Sequence, residues 1–429
     1  MTAPLLDLAS RRARSADAVL KSDETISLTL EASGAGHVTR YAGSWCQLRV
    51  QLEGRVGFAG STTPGSWAAM VDVALEGAAR SGPGELRLPE PTPCPIAMTS
   101  HPAAAVAGPA EIRQLALILA ERLARYGDSV STWVERSTGT VEVANSLGVL
   151  VRYDATLVGL GLQLAPSPED GAGLQVSHVG VAWPGTSEIE QLCAEVDRRL
   201  VPPALNGVPP ARSRVCLAPR AVAALLRPLL GALTAGALDP RGAPPGSGLG
   251  GRGLPDLVTL RDDPLADRRP GTRPVDDEGV ASRTLPLIEA GQIRGVIADL
   301  ASGARHGVPS TGHARRLPHA PPRPAFSNLI FDAGATPVAA LRTQVGDGIL
   351  VLDLPEVVAS GPDAPITLVT PWAFRLADGE AVGRYPPMVL RTTVLDMLER
   401  LVAVSDEAFW IGSWRCPSLL FDEVELFSA

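Results

Sequence analysis

The chain has 429 residues, 45% hydrophobic and 20% charged, with a formal net charge of −8. That length exceeds what one core serves, so two or three domains are expected, and the composition is that of a soluble globular protein. The acidic balance, with no basic cluster to offset it, excludes a nucleic-acid partner, and no apolar run approaches the ~18 residues that span a bilayer, so no membrane association is expected.

In chain order, the N-terminal MTAPLLDLASRRARSAD lacks the basic start, apolar core and small-residue cleavage site of a leader, which points to a cytoplasmic location. Residues 15–60 read as strands. ISLTLEA alternates from Ile26, the run Trp45–Leu52 alternates, and the two glycines of GRVG, Gly54 and Gly57, suit a tight hairpin turn. Pro64 to Arg80 shows helical spacing through Trp67, Met70, Val71, Val73 and Ala74, with Pro64 near the helix start. After a Pro-rich connector, Leu88–Pro95, comes the clearest amphipathic helix, Glu111–Tyr126. Ile112, Leu115, Leu117, Ile118 and Leu123 cover one side of it, and Gly127 stops it.

Four strand-like runs follow, STWVERS, TVEVANSLGV, VRYDATLVGLGLQLA and LQVSHVGVAW, with a hairpin turn at Asn145–Gly148. A second helix is expected over Glu188–Leu200, and the Pro-rich Leu200–Pro210 marks a boundary. Beyond it lie a third helix, Arg220–Ala235, and a Pro/Gly-rich loop, Asp239–Gly253. Strands and turns fill the rest, broken by one helix near Arg391–Val402. The fold class is therefore α+β, with a mixed α/β N-terminal half and an antiparallel β-rich C-terminal half. The expected domains are 1–95, 96–205 and 206–429.

Candidate motifs are few. GSGLGG at Gly246–Gly251 has the spacing of a dinucleotide loop but lacks the preceding strand and following helix such a site needs, so it reads as a loop. None of the six His is followed by Glu, and none has another His four or five residues away, so no self-contained zinc site is expected. No G-x-S-x-G elbow occurs, and Ser310 near His313 alone does not define a triad. The five Cys are scattered, with no CxxC, and most read as small buried hydrophobes. Lys21 is the one lysine among 38 basic residues, a bias that genome composition explains. Asp262, Asp263, Asp276, Asp277 and Glu278 form two acidic clusters beside Pro or Gly. Turn capping is the favoured reading, and cation binding or acid–base work the other. Arg283, Arg315 and Arg316 suit either a ligand carboxylate or salt bridges to those acids.

Taken in order, GRVGFAG (54–60), NSLGV (145–149), DDP (262–264), DDEGVASRTLPLIEAGQIRG (276–295), STGHARR (310–316) and GSWRCPSLLFDEVEL (412–426) resemble the motif series of the TldD/PmbA family of metallopeptidases. The last two are similar to its PmbA/TldE branch, with His313 where that branch has Asn. In the TldD branch the C-terminal half opens with a helix bearing His-Glu-x-x-x-His. The segment matching that helix, Pro219–Gly236, holds neither His nor Glu, and Cys416 does not match the branch's ligand Cys. The resemblance thus implies a metal-free subunit with no cofactor of its own. Its implied partner is a TldD-like subunit in a heterodimer, with zinc expected in that partner and a peptide or peptide-like substrate in a chamber between the two. Arg283, Ser310, Thr311, His313 and Arg315 are expected to face that chamber. The segment SGPDAPITLVTPWAFRLADGE after residue 358 departs from the family's Asn- and Gly-rich pattern. A homodimeric binding or scaffold protein, and a stand-alone hydrolase using His313, stand as alternatives.

Overall fold

The structure is a computed structural model and describes residues 2–31, 33–63, 66–126, 130–164, 173–207, 209, 212–237, 253–355 and 361–428. Pro64, Gly127 and the GSGLGG loop lie outside the described residues. Among those described, no helix is long and apolar enough to cross a membrane.

The first half builds a six-stranded sheet from β1 (Ser15–Leu30), β2 (Gly36–Leu52), β3 (Arg55–Ser61), β4 (Val130–Asn145), β5 (Leu150–Leu164) and β6 (Leu174–Gly180). Their order is β3-β2-β1-β4-β5-β6 and every pairing is antiparallel. Alternation decides its two faces. Ala16, Ala18, Cys46, Leu48 and Val50 pack under the helices Ala3–Ser10 and Trp67–Arg80, against Leu5, Met70, Val71 and Ala74. Farther along β1, Ile26, Leu28 and Leu30 share a core with Ile112 and Leu119 of the helix Pro109–Leu123 and with Leu192 and Val196 of the helix Thr186–Leu200. Each fully buried Leu or Ile contributes about 1.5–3 kcal/mol of transfer free energy. On the other face of β1, Asp17 and Lys21 carry the opposite character, with the buried Val19 between them, and these two charged residues help build the site described below.

One turn differs from expectation. The β2–β3 turn is Glu53–Gly54, with φ of 49° and 74°, the left-handed pair that suits a two-residue hairpin. Gly57 lies inside β3 instead. A Cβ there would meet Ala74 O at 2.1 Å and Ala78 N at 2.2 Å, so this glycine lets the helix press onto the strand.

The second half builds a twelve-stranded sheet around the long strand Trp414–Ser428, which pairs with Arg212–Leu217, Leu329–Phe331, Met388–Thr392 and Leu401–Ile411. Most pairings are antiparallel, but Leu329–Phe331 runs parallel to Trp414–Ser428, and Ile349–Val351 runs parallel to Arg212–Leu217. The expected helix over 220–235 is shorter. It spans Pro219–Leu226, a brief turn of helix follows at Leu229–Ala232, and Pro228 between them explains the break. The expected helix near 391–402 is Val394–Glu399, because Leu401 already begins a strand. Four helices among the described residues went unread in the sequence: Ala3–Ser10, Pro102–Val106, Leu300–His306 and Val338–Val345.

Candidate functional site

The segment 260–317 folds against the polar face of the first sheet. Its centre is the acidic turn at Asp276–Gly279. Asp276 Oδ1 accepts from the N–H groups of Glu278 and Val280, both at 2.9 Å, and its Oδ2 accepts from Ala314 N at 2.9 Å. This is the turn capping expected of a short acid. Asp263 acts similarly, accepting from Leu265 N and Thr284 Oγ1, both at 3.0 Å. Asp277 and Glu278 do more than cap. Asp277 Oδ2 takes Lys21 Nζ and Arg316 N, each at 2.8 Å. Glu278 takes Arg49 Nη1 at 2.8 Å and Leu300 N, at the start of the helix Leu300–His306, at 2.8 Å.

Asp17 closes the set. Arg49 grips it through Nε at 3.0 Å and Nη2 at 2.5 Å, and Arg316 grips the same carboxylate with both terminal nitrogens, Nη1 at 3.1 Å. Arg316, Asp17, Arg49 and Glu278 thus form a chain of alternating charge, all at most 7% exposed. Two cations and two anions neutralise each other locally, which makes their burial tolerable. Burial works to raise the Asp17 pKa, but the Arg316 and Arg49 charges outweigh it and hold the carboxyl below its ordinary range. Asp277 behaves alike: burial opposes, the Lys21 and Arg315 charges prevail, and the value falls to about 2. Asp276 goes the other way. Burial and the adjacent Glu278 charge push it up to about 7.

The five candidate chamber residues divide. Arg283 and Arg315 are exposed, and Ser310 is half-buried. Thr311 is buried at 6% exposure and His313 at 0%. These two therefore do not face open space in this chain. The His313 ring is held on both sides, with Nε2 2.7 Å from Asp262 Oδ2 and Nδ1 2.9 Å from Thr311 O. Asp262 in turn accepts from Ser327 N at 2.9 Å and from the Ser327 hydroxyl. Thr311 Oγ1 is occupied by Ala298 N at 2.9 Å and Ala298 O at 3.1 Å. An Asp–His–Thr sequence of contacts resembles a proton relay, but a sealed ring and an engaged hydroxyl leave no reacting atom within reach. The arrangement is a latch joining the strand Leu260–Asp262 to the 310–313 loop. Arg283 makes only a weak 3.4 Å contact to Ser310 O.

Sequence reading missed Asp17, Lys21 and Arg49 as site residues. A signal was present: Asp17 and Lys21 lie two positions either side of Val19 on one face of β1, where charge would otherwise meet solvent. The acid clusters and Arg316 were noticed, but their partners stand far away in the chain.

A separate cleft of about 460 Å³ opens between the helix Thr186–Leu200 and the second sheet. Arg199, Arg220, Arg269, Leu352 and Trp410 line it, with Arg269 stacked 4.5 Å from the Trp410 ring centroid. Arg220 belongs to the first turn of the helix Pro219–Leu226, whose remaining residues, Ala221 to Leu226, are at most 8% exposed. From Ala221 onward that helix is apolar on every side and serves the core. Among the described residues no three His, Cys, Asp or Glu side chains converge as a metal-ligand set. Of the cysteines, Cys46, Cys216 and Cys416 are buried, Cys193 is half-buried and Cys94 is exposed.

Residues 210–428 match the family model described as the PmbA/TldA metallopeptidase C-terminal domain. The chain belongs to the PmbA/TldD family. It is 29% identical over 184 residues to a Haemophilus influenzae protein named metalloprotease PmbA homolog, covering 42% of this chain and 38% of that one. It is 26% identical over 153 residues to a metalloprotease TldD homolog of the same organism, covering 35% and 32%. These matches thus span only about a third of each relative's length. In three dimensions the likeness runs end to end. TldE from Thermococcus kodakarensis superposes with a TM-score of 0.85 at 20% identity over 100% of both chains. A Bacteroides thetaiotaomicron protein described as a modulator of DNA gyrase gives 0.82 at 18% identity, over 100% of this chain and 98% of that one. At such identities the likeness establishes the shared fold: mixed α/β with extensive antiparallel sheet.

Proposed function

We propose that this chain is the non-catalytic, TldE/PmbA-like subunit of a TldD/TldE-type zinc metallopeptidase, and that it completes the substrate chamber of the pair. The observation that carries this reading is the helix Pro219–Leu226. By the motif resemblance it answers to the helix in which the hydrolytic branch bears its metal motif, yet it reads PRAVAALL and is packed into the core along Ala221–Leu226. Alanine and leucine supply no ligand, no base and no proton. The sealed His313 supports the same reading, since the remaining candidate for autonomous chemistry has no open side.

In this reading the partner's zinc activates the hydrolytic water. This chain contributes wall and grip. Its substrates are unfolded or modified peptides, or an amide-containing small molecule, and extended substrates bind by adding to a strand edge, where backbone hydrogen bonds tolerate many side chains. Arg283 and Arg315, exposed on the 283–315 segment, are its chamber-facing cations. Co-expression with the nearest TldD-like protein of the same genome tests this. A stable heterodimer with one zinc and with peptidase activity absent from either chain alone is the expected result. A self-associating chain that ignores the partner, or a single chain that binds zinc and cuts peptides, overturns it.

A further inference from the structure

Arg273 is 2% exposed, and none of its three guanidinium nitrogens has a hydrogen-bond partner. A buried guanidinium offers five N–H donors, and leaving all of them unmet is costly unless an anion joins them. The backbone around it is fixed: Arg273 N donates to Pro264 O at 2.9 Å, and Ser282 N donates to Pro274 O at 2.9 Å. The main chain is therefore held in place, and the buried guanidinium is left without a protein acceptor.

The acids nearby are already engaged. Asp276 spends both oxygens on backbone N–H groups, and Asp262 spends its own on Ser327 and His313. Asp277 gives Oδ2 to Lys21 and Arg316 N, and only its Oδ1 is unpartnered. Around that single carboxylate stand Lys21, Arg273 and Arg315, whose mutual electrostatic influence shows that they share one neighbourhood. Asp276 and Asp262 also lie within electrostatic reach of Arg273, but their oxygens are engaged elsewhere and none of the Arg273 guanidinium nitrogens has a partner. Beside this cluster lies a cavity of about 230 Å³ between the first sheet and the Arg269–Thr272 loop, lined by Lys21, Trp45, Thr99, Thr140, Thr156 and Thr272. Lys21, the only lysine of the chain, sits 5.3 Å from the Trp45 ring centroid at this cavity's edge.

We propose that Lys21, Arg273 and Arg315 form a binding site for a carboxylate, reached through this cavity, and that the ligand is the C-terminal carboxylate of a peptide. A guanidinium fork takes a carboxylate bidentately, and an ammonium adds a point charge without demanding geometry. The threonine hydroxyls suit the last peptide units, and the Trp45 indole suits a small apolar side chain. The choice of a peptide rests on the proposed function above, but the anion chemistry does not.

The test is calorimetric titration of the full-length single chain at constant ionic strength. The probes are tetra-alanine with a free C-terminus, the same peptide as its amide, and inorganic phosphate. The free acid is expected to bind at least tenfold more tightly than the amide. Arg273→Met is expected to abolish that preference, and Arg315→Met, a change at an exposed side chain that leaves folding intact, to weaken acid binding about tenfold. Acid and amide binding alike, no binding of either, or acid binding untouched by Arg315→Met would overturn the site. Phosphate binding as tightly as the acid, and likewise lost in Arg315→Met, would support the oxyanion site and overturn the peptide terminus as its occupant. Because the single chain is used, failure here leaves the pairing with a TldD-like subunit intact, and failure of that pairing leaves this titration intact.

Discussion

The helix Pro219–Leu226 and the junction around Asp17 are buried to the same depth and filled with opposite chemistry. In the helix, Ala221 to Leu226 are at most 8% exposed and carry no polar side chain. In the junction, Asp17, Arg49, Glu278 and Arg316 are at most 7% exposed, and all four are charged. Apolar burial is non-directional, so the helix core would tolerate small shifts. Buried ion pairs tolerate none, because each partner left alone keeps its full desolvation cost. The junction therefore fixes register. A one-residue slip of β1 would send Asp17 and Lys21 under the helices and present Ala16 and Ala18 to the acidic turn.

The largest expected effect tests that difference directly. Asp17→Ala leaves Arg49 and Arg316 buried without their shared acceptor and is expected to cost about 3–5 kcal/mol in urea unfolding. A loss below about 1 kcal/mol would show that solvent or rearrangement rescues the arginines, and the register argument would fall. On the apolar side, Leu225→Ala, at a residue with 0% exposure, is expected to cost about 2–4 kcal/mol by lost transfer energy and cavity formation. It should leave any pairing with a TldD-like subunit unchanged, since the side chain reaches no surface. Loss of pairing at preserved stability would mean that the helix does more than pack.

A smaller, pH-dependent effect separates the two carboxylates of the acidic turn. Asp276 rises from an ordinary 3.8 to about 7 in the folded chain. Between those values the folded form keeps a proton that the unfolded form has lost, so stability falls as pH climbs from about 4 to 7. Asp277 drops to about 2, so its contribution is full above 3.8 and is lost as pH falls from there toward 2. Urea midpoints across pH 3 to 8 should therefore peak near the crossover of the two windows. Asp276→Asn should flatten the upper limb, whose slope is on the order of 1 kcal/mol per pH unit. An unchanged slope in that variant would assign the limb to another group.

Much of the architecture was legible because local pattern and tertiary demand agree. The hairpin at Asn145–Gly148 and the amphipathic helix near 188–200 state their place in their own residues. On the helix near 111–126 Ile112, Leu115 and Leu123 are buried as their spacing suggests but Leu117 and Ile118 are exposed, and along Trp45–Leu52 the polar Gln47, Arg49 and Gln51 are buried together with their apolar neighbours. The misses have physical causes. Gly57 has the sequence signature of a turn, but its role is a close approach to Ala74 and Ala78, which a sequence places 17 and 21 positions away without saying that they touch. Leu300–His306 is only seven residues long and is held by its Asp299 cap and the αL Gly307 rather than by an apolar stripe. The site was legible in composition and illegible in pairing. The acids at 276–278 and Arg316 stood out. That Arg316 reaches Asp17, 299 residues away, follows only from the packing of one half against the other. His313 stood out as an unusual residue in its motif, and its sealed position follows from Asp262, Thr311 and Ser327 closing around it.

The smallest expected change in stability carries the most functional information. Arg283 is exposed and makes one long contact, so Arg283→Ala should shift the unfolding free energy by no more than about 0.5 kcal/mol. If it stands on the chamber wall, the same substitution should raise the KM of the assembled pair for a peptide substrate and leave kcat alone, because a residue remote from the zinc contributes equally to ground-state and transition-state binding. A fall in kcat with KM unchanged would place Arg283 next to the reacting bond. No change in either constant would remove it from the chamber, leaving Arg315 as the remaining candidate cation for substrate to meet.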